Sequence, residues 1–230
     1  RKVFFHGLFD PRTLFLLRVL PFWEKKSYWI AWGADLYDRF YATQGIKSRL
    51  AQHLRACVIR RCKHIVTYLK GDYARALAWF GCQAEYHECL MYPSNLYKEC
   101  ASTCKTDDYV DIMIGNSADP LNFHLEVFEK LAKNLPEKYR IYSPLSYGND
   151  DYKEVVKAAG LELFGPHFIA LEQLMGAVEY TNFLSSMDIV IFNHPIQQAM
   201  GNTITALGLG NRVYLRKGTS QWELFTNLGI

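Results

Sequence analysis

The sequence predicts an α/β protein with parallel sheets, organised as two units of similar pattern. Three observations carry this reading. Short apolar runs of strand length alternate with segments of helical periodicity. A polar stretch at 93–108, rich in Ser, Asn, Thr, Lys and Asp, interrupts the alternation, which then restarts. Small or hydrogen-bonding residues come after strand upon strand, at the carboxyl ends where open parallel sheets bind ligands.

In the first half, Lys2–His6 reads as a strand and Pro11–Leu20 as a helix opened by proline at its first turn. Tyr28–Trp32 is a second apolar run, closed by Gly33-Ala34-Asp35, where Asp35 has the character of a helix cap. Apolar residues at 46, 50, 54, 57, 58, 62 and 65 have helical spacing, with Lys47, Arg49, Arg55, Arg60 and Lys63 mostly off that stripe. His64–Tyr68 is a third strand, Tyr73–Phe80 a helix ended by Gly81, and Glu85–Tyr92 a fourth strand.

After the polar stretch, Val110–Ile114 is a strand and Leu121–Leu135 a helix. Tyr139–Ser143 is a strand, Asp150–Ala159 a helix closed by Gly160, and Phe168–Leu171 a strand. A helix over Val178–Met187, a strand at Ile189–Phe192, a helix at Thr203–Leu209 and a strand at Arg212–Leu215 complete the pattern. Helices are expected on both faces of each sheet. The two runs divide into domains at residues 1–105 and 106–230.

Of the 230 residues, 50% are hydrophobic and 15% aromatic, enough for a sizeable core and against disorder. The chain opens directly on Arg1-Lys2-Val3-Phe4-Phe5 and stops at Leu228-Gly229-Ile230, so it is read as a fragment of a longer protein with both domains incomplete. The net charge of +3 is unevenly spread. Residues 1–64 carry 13 Lys/Arg against 4 Asp/Glu, whereas residues 65–230 carry 13 against 19. A basic first part suits either an anionic partner or a solvated basic face. The apolar stretch Leu14–Trp23 is too short for a membrane span and is broken by Arg18 and Pro21. Six cysteines lack any CxxC pair. Cys100 and Cys104 are a weak zinc or disulfide signal, and a reducing compartment fits best.

The strand ends hold the candidate site. His6-Gly7 follows the first strand, Gly33-Ala34-Asp35 the second, and Gly115-Asn116-Ser117-Ala118-Asp119-Pro120 the strand at 110–114, with Asn122 and His124 just beyond. Pro144-Leu145-Ser146-Tyr147-Gly148 follows the strand at 139–143. After Ile189–Phe192 comes a polar run containing Gln197, Gln198, Gly201, Asn202 and Thr203. Backbone N–H groups at such ends, together with a helix N-terminus, make an anion site. Each loop read alone is equally an ordinary turn with a cap. The sequence contains no GxxxxGK[ST], which leaves a P-loop NTPase unsupported, no GxGxxG after a strand, and no GxSxG, so an α/β-hydrolase reading has no nucleophile.

The blocks "FFHGLFDP", "WIAWGADLY", "IGNSADPLNFHLEVFEKL" and "QQAMGNTITALGLGNRVYL" occur in this order from Phe4 to Leu215. They resemble glycosyltransferase family 56, the TDP-4-acetamido-4,6-dideoxygalactose (Fuc4NAc) transferases of enterobacterial common antigen synthesis. The resemblance implies a GT-B architecture, two Rossmann-like domains facing a cleft, acceptor on the first and nucleotide-sugar on the second. It places Gly115, Asn116 and Ser117 near the donor, with Asn122 and His124 behind them. Tyr147 is added from its strand end. Gln197, Gln198, Gly201, Asn202 and Thr203 would hold the donor diphosphate and sugar. Gly7, Trp32, Gly33 and Ala34 belong to the acceptor side. Asp35 is the candidate general base or acceptor-binding group, and His6 the runner-up.

On this resemblance the donor is a dTDP-sugar, the acceptor a polyprenyl-diphosphate-linked saccharide, and the pathway bacterial cell-envelope polysaccharide synthesis. No resident cofactor or metal is expected, the nucleotide-sugar being substrate, and no nucleic-acid partner. The basic stretch Lys47–His64 and the apolar-basic Leu14–Lys26 would rest on an anionic membrane surface, giving a peripheral enzyme on the cytoplasmic face of the inner membrane. An ordinary core helix with a basic outer face fits the same residues. Two further readings stay open: a GT-B-like nucleotide-sugar epimerase or hydrolase, and a non-catalytic sugar-nucleotide-binding module.

Overall fold

The structure is a computed structural model that describes residues 1–20, 22–41, 45–90, 96–97, 105 and 107–230, with the backbone alone at 39–41. The Cys100–Cys104 pair and most of the polar stretch at 93–108 lie outside the described residues. The chain forms two compact units, residues 1–91 with 218–230, and residues 92–217.

The first unit holds β1 (Val3–His6), β2 (Ser27–Ile30), β3 (His64–Thr67) and β4 (Glu85–Glu88), all parallel and in that spatial order. Between them run α1 (Pro11–Val19), α2 (Ala34–Tyr41), α3 (Ile46–Arg61) and α4 (Lys70–Phe80). Right-handed crossovers along a steadily advancing strand order carry the connecting helices to one face. The side chains agree. Phe5 meets Trp23 after α1, Tyr86 meets Tyr73 of α4, and Trp29 and Ile65 on that face are 1% exposed. On the other face Phe4 is 53% exposed and Tyr28, His64 and His87 are half-buried. Helices on both faces are therefore not what this sheet has among the described residues.

The caps explain why α1 starts where it does. Pro11 opens it, and the Asp10 carboxylate accepts from the backbone N–H of Thr13 at 3.0 Å and of Arg12 at 3.3 Å. The first unit also recruits the end of the chain, which the sequence assigns to the second domain. Helix α9 (Ser220–Asn227) packs on α4. Arg75 donates to both carboxylate oxygens of Glu223 at 2.8 and 3.0 Å and to the Gly218 carbonyl at 2.8 Å. Beneath that pair, the buried Asp72 carboxylate accepts from Tyr37 Oη at 2.8 Å and Ser220 Oγ at 2.5 Å.

The second unit contains β5 (Val110–Ile114), β6 (Tyr139–Pro144), β7 (Phe168–Leu171), β8 (Ile189–Phe192) and β9 (Arg212–Leu215), all parallel, in the order β7-β6-β5-β8-β9. The strand order turns back between β5 and β8. Its helices are α5 (His124–Leu131), α6 (Asp150–Phe164), α7 (Ala177–Ser185) and α8 (Met200–Gly208). Alternation along β5 sends Ile112 and Ile114 to one core, with Phe128, Ile141, Val156, Phe164 and Phe168, and Met113 to another, with Leu184, Val190, Phe192 and Ala206. Both faces of this sheet are covered.

Several boundaries differ from the sequence reading. Gly160 does not end α6, which runs on to Phe164. The glycine is there for clearance: a Cβ at 160 would lie 2.6 Å from the Phe168 ring. Helix α5 begins at His124, after a 3-10 turn over Pro120–Asn122, and ends at Leu131. Helix α8 begins at Met200, so Gly201 and Asn202 lie inside its first turn.

Candidate functional site

In the second unit, the loops after β5, β6, β7 and β8 meet at the carboxyl ends of the strands, around the point where the strand order reverses. The loops after β5 and β6 are tied to each other. Ala118 N–H donates to the Tyr147 carbonyl at 2.8 Å, and Asn149 N–H to the Ala118 carbonyl at 2.9 Å. Asn122 organises the turn from within. Its Oδ1 accepts from the Asn116 N–H at 2.9 Å, and its Nδ2 donates to the Asp119 carbonyl at 3.1 Å and to Ser117 Oγ at 3.4 Å. Asn122 and His124 are fully buried and Ser117 is nearly so. These three shape the loop from behind it.

Gly115 permits this arrangement. Its φ is +72°, and a Cβ there would sit 2.5 Å from His124 Nε2 and 2.6 Å from Asn122 Oδ1. The backbone therefore passes directly over two buried polar side chains. Burial pulls the His124 imidazole down to about 4 and the buried His194 imidazole to about 3, so both are neutral at pH 7. His194 Nε2 lies 2.8 Å from Asn122 Oδ1, an acceptor, which makes Nε2 the protonated nitrogen. That contact joins the loop after β8 to the loop after β5.

Outside this framework is a cavity of about 320 Å³. It is lined by Asn116, Pro144, Ser146, Tyr147, Leu171, Gln173, Leu174, Met175, Ala177, Tyr180 and Asn202. Asn116 Nδ2 donates to Tyr147 Oη at 3.1 Å on its wall. A more open hollow adjoins it, sharing Asn116 and Tyr147 and adding Ser117, Asp119, Pro120, Gly148, Asn149 and Gln198. Helix α8 points its N-terminus at this region. It has no side-chain cap, since residue 199 is alanine, held at φ +54°. The first-turn N–H groups around Gly201 and Asn202 thus lack the capping oxygen that Ser, Thr, Asp or Asn supplies elsewhere.

Of the donor-side residues expected from sequence, Asn116, Tyr147 and Asn202 line the cavity and Ser117 and Gln198 the adjoining hollow. Gly115, Asn122 and His124 support them. Gly201 lies in the first turn of α8, and Gln197 is half-buried on the preceding loop. Thr203 is fully buried and donates to the Ala199 carbonyl at 3.1 Å, so its hydroxyl serves the helix. Sequence reasoning did not single out His194, Ser146 or Tyr180. It also missed a polar knot in which Glu126 accepts from Arg216 at 2.8 Å and Asn193 at 3.2 Å. That knot fixes α5 to the ends of β8 and β9. "NHP" directly after an apolar strand was the available signal for Asn193 and His194.

In the first unit, Asp35 is placed differently from the sequence expectation of an open strand end. It is 1% exposed, and its carboxylate accepts from Trp29 Nε1 at 2.6 Å, Trp32 N–H at 2.9 Å and Leu8 N–H at 3.0 Å. Burial raises its pKa, and these three donors oppose the rise. Asp35 ties the loops after β1 and β2 together. The same loop is held by Arg55, whose Nε donates to the Leu8 carbonyl at 2.6 Å while Nη1 pairs with Asp38. His6, at the end of β1, is exposed. Gly7 and Gly33 turn the chain at φ +74° and +83°, Trp32 is 42% exposed, and Ala34 is also exposed.

Two parallel sheets with ligand-ready loops at their carboxyl ends define an α/β protein of the GT-B glycosyltransferase class. A solved structure of this fold, WaaG, a glycosyltransferase involved in lipopolysaccharide biosynthesis, matches with a TM-score of 0.62 and 11% sequence identity, covering 88% of this chain and 59% of that one. This chain belongs to glycosyl transferase group 56: the profile of that family, described as 4-alpha-L-fucosyltransferase, matches residues 1–223. The chain spans 59% of the length of the WaaG structure it matches.

Proposed function

We propose that the chain forms the core of a glycosyltransferase that moves a deoxyamino sugar of the Fuc4NAc type from a dTDP-sugar to a polyprenyl-diphosphate-linked saccharide, in bacterial surface polysaccharide synthesis. The observation that carries this reading is the 320 Å³ cavity of the second unit, with Asn116, Tyr147 and Asn202 on its wall and the uncapped N-terminus of α8 beside it. Its volume lies at the small end of the range for ligand sites. The polar groups suit sugar hydroxyls and an amide. The helix start suits a diphosphate, which it stabilises by roughly 1 kcal/mol, more as charge develops on the leaving group. The donor is a substrate, and we assign no resident cofactor.

In the first unit we assign His6 as the candidate base, because its imidazole is exposed at a strand end. Asp35 we assign as a positioning residue, because three fixed donors occupy its carboxylate. Calorimetry with dTDP-, UDP- and GDP-sugars tests the donor reading. Binding of a dTDP-sugar, weakened in Asn202→Ala, is expected. No binding of any nucleotide-sugar would refute it.

The acceptor reading has a surface that suits it. On α1 and just after it, Phe15, Leu16, Val19, Leu20 and Phe22 are 48–82% exposed, and α3, packed against α1, exposes Ile46 (89%) and Leu50 (59%). Exposed Arg12, Arg18, Lys25, Lys26, Lys47 and Arg49 lie on the same segments. Apolar side chains among cations suit an anionic membrane surface, here the cytoplasmic face of the inner membrane. Arg55 is not part of that surface, being 7% exposed and committed to Leu8 and Asp38. Among the described residues no helix is long and apolar enough to cross a membrane. Flotation with anionic liposomes is expected to weaken at high salt and in a Phe15→Ser/Leu16→Ser variant; salt-independent or absent binding would reject the surface.

A further inference from the structure

At the opposite end of the first sheet, away from the ligand-facing loops, three side chains converge on the less covered face. His64 is the first residue of β3, Glu85 the first of β4, and His87 lies two residues further along β4. The parallel register pairs His64 with Glu85 and Val66 with His87, so all three project from one face. His64 Nδ1 lies 3.1 Å from His87 Nε2 and 3.3 Å from Glu85 Oε2, and His87 Nε2 lies 3.6 Å from the same oxygen.

Two kinds of site compete for this geometry, a hydrogen-bonded cluster and a cation site. Three atoms, each with a lone pair to donate, form a triangle. One proton satisfies a single edge of it and leaves the remaining lone pairs facing each other. One cation above the triangle satisfies all three. Zinc bonds of about 2.0–2.2 Å at the tetrahedral angle put ligand atoms about 3.3–3.6 Å apart. The two separations to Glu85, 3.3 and 3.6 Å, fall at that spacing, and the His64–His87 separation of 3.1 Å is slightly shorter. Two imidazoles and a carboxylate are also the donor set that borderline divalent transition metals select, in contrast to calcium or magnesium.

The surroundings hold the ligands in place. The Tyr28 ring stacks on His64 at 4.3 Å and 11°, and lies 5.1 Å from the His87 ring. Phe4 stacks on Tyr28 in turn at 5.0 Å. Glu85 is 66% exposed, which leaves a fourth position open to water and a route of entry from solvent. Among the described residues this is the one group of three His, Cys, Asp or Glu side chains so arranged.

We propose that His64, Glu85 and His87 form a divalent transition-metal site of zinc type. Bound there, the ion bridges the edge strand β4 to β3 and acts as a structural staple. It lies at the amino ends of the strands, so it is separate from the proposed transfer chemistry. Binding displaces any proton held between the imidazoles, because the ligands must present free lone pairs.

The test is equilibrium dialysis of the whole chain against Zn²⁺, with metal analysis, and Co²⁺ substitution read by visible absorption. One equivalent of zinc is expected, with a raised melting temperature and a cobalt spectrum free of thiolate charge transfer. His64→Ala and His87→Ala are each expected to weaken binding by more than the roughly 10–100-fold that loss of an outer-shell partner costs. Glu85→Gln, on the exposed side, keeps the fold intact if the histidine variants do not. A Cys57→Ser control covers the Cys57–His53 pair on α3, whose atoms are 3.6 Å apart. No stoichiometric zinc would overturn the proposal and leave a hydrogen-bonded His–His–Glu cluster. Zinc retained undiminished in the Glu85 and histidine variants would overturn it too, by placing the ion elsewhere.

Discussion

His194 Nε2 donates to Asn122 Oδ1 across 2.8 Å, and both side chains are at most 3% exposed. The same oxygen accepts from the Asn116 N–H, so one buried amide holds both the loop after β5 and the loop after β8. Asn122→Ala strands these donors in the interior. A stability loss of roughly 2–3 kcal/mol is expected in denaturant unfolding, with at least about tenfold weaker dTDP-sugar binding. His194→Ala is expected to act in the same direction. Unchanged donor affinity in both variants would show that the framework does not position the site.

Gly115→Ala meets two obstacles at once, a φ of +72° and a Cβ 2.5 Å from His124 Nε2. The expected result is a loss of donor binding beyond that of Asn202→Ala, with melting lowered. A variant that binds donor normally would mean that the loop rebuilds itself without cost.

The helix start of α8 is expected to select anions. Asn202→Ala removes a side chain from the cavity wall, whereas Gly201→Pro keeps that wall and removes one first-turn N–H. Calorimetry on dTDP separates the two contributions. The proline variant is expected to weaken dTDP, and the alanine variant to affect the sugar-bearing donor more than dTDP.

The two units should respond to pH in opposite directions. His124 and His194 ionise near 6.5 when unfolded and at about 4 and about 3 when folded. Their contribution is complete above 6.5 and is lost as pH falls toward 4, because the unfolded chain binds protons that the folded one refuses. Asp72 is pushed up to about 6 by burial from 3.8. Its folded form keeps the proton longer, so stability at α4 and α9 falls as pH rises from 3.8 to 6. Hydrogen exchange is expected to show loops 115–122 losing protection on acidification and α9 gaining it. Asp72→Asn should flatten the second trend; an unaltered profile would exclude Asp72 as its source.

Asp35 and His6 separate a positioning role from a catalytic one. With the complete enzyme, Asp35→Asn is expected to lower stability by roughly 1–3 kcal/mol through three disturbed hydrogen bonds, and His6→Ala to lower kcat with little change in melting. The reverse pattern, a stable Asp35→Asn protein without turnover, would restore Asp35 as the base.

Much of the architecture is legible because strand ends and helix periods are local properties. Gly115, Asn116 and Asn202 stand out as small or polar residues just beyond apolar runs. His194 does not, since a histidine beside a proline looks like any turn until its partner at 122 is known. Asp35 is legible as a strand-end carboxylate, but its three donors come from residues 8, 29 and 32, and only packing decides whether a carboxylate faces water or amides. Helix α9 escapes the sequence reading, because its stripe pairs with α4 at a sequence distance of about 148 residues.

The sequence by itself determined the alternation of strands and helices, the parallel sheets and the polar strand ends, since each depends on neighbours within a few residues. Only the tertiary structure decided which polar groups are buried, which loops share a cavity, and that His64, Glu85 and His87 meet. Those outcomes depend on register and crossover between segments far apart in the chain. A spacing of 21 residues between His64 and Glu85 has no meaning until β3 and β4 lie side by side.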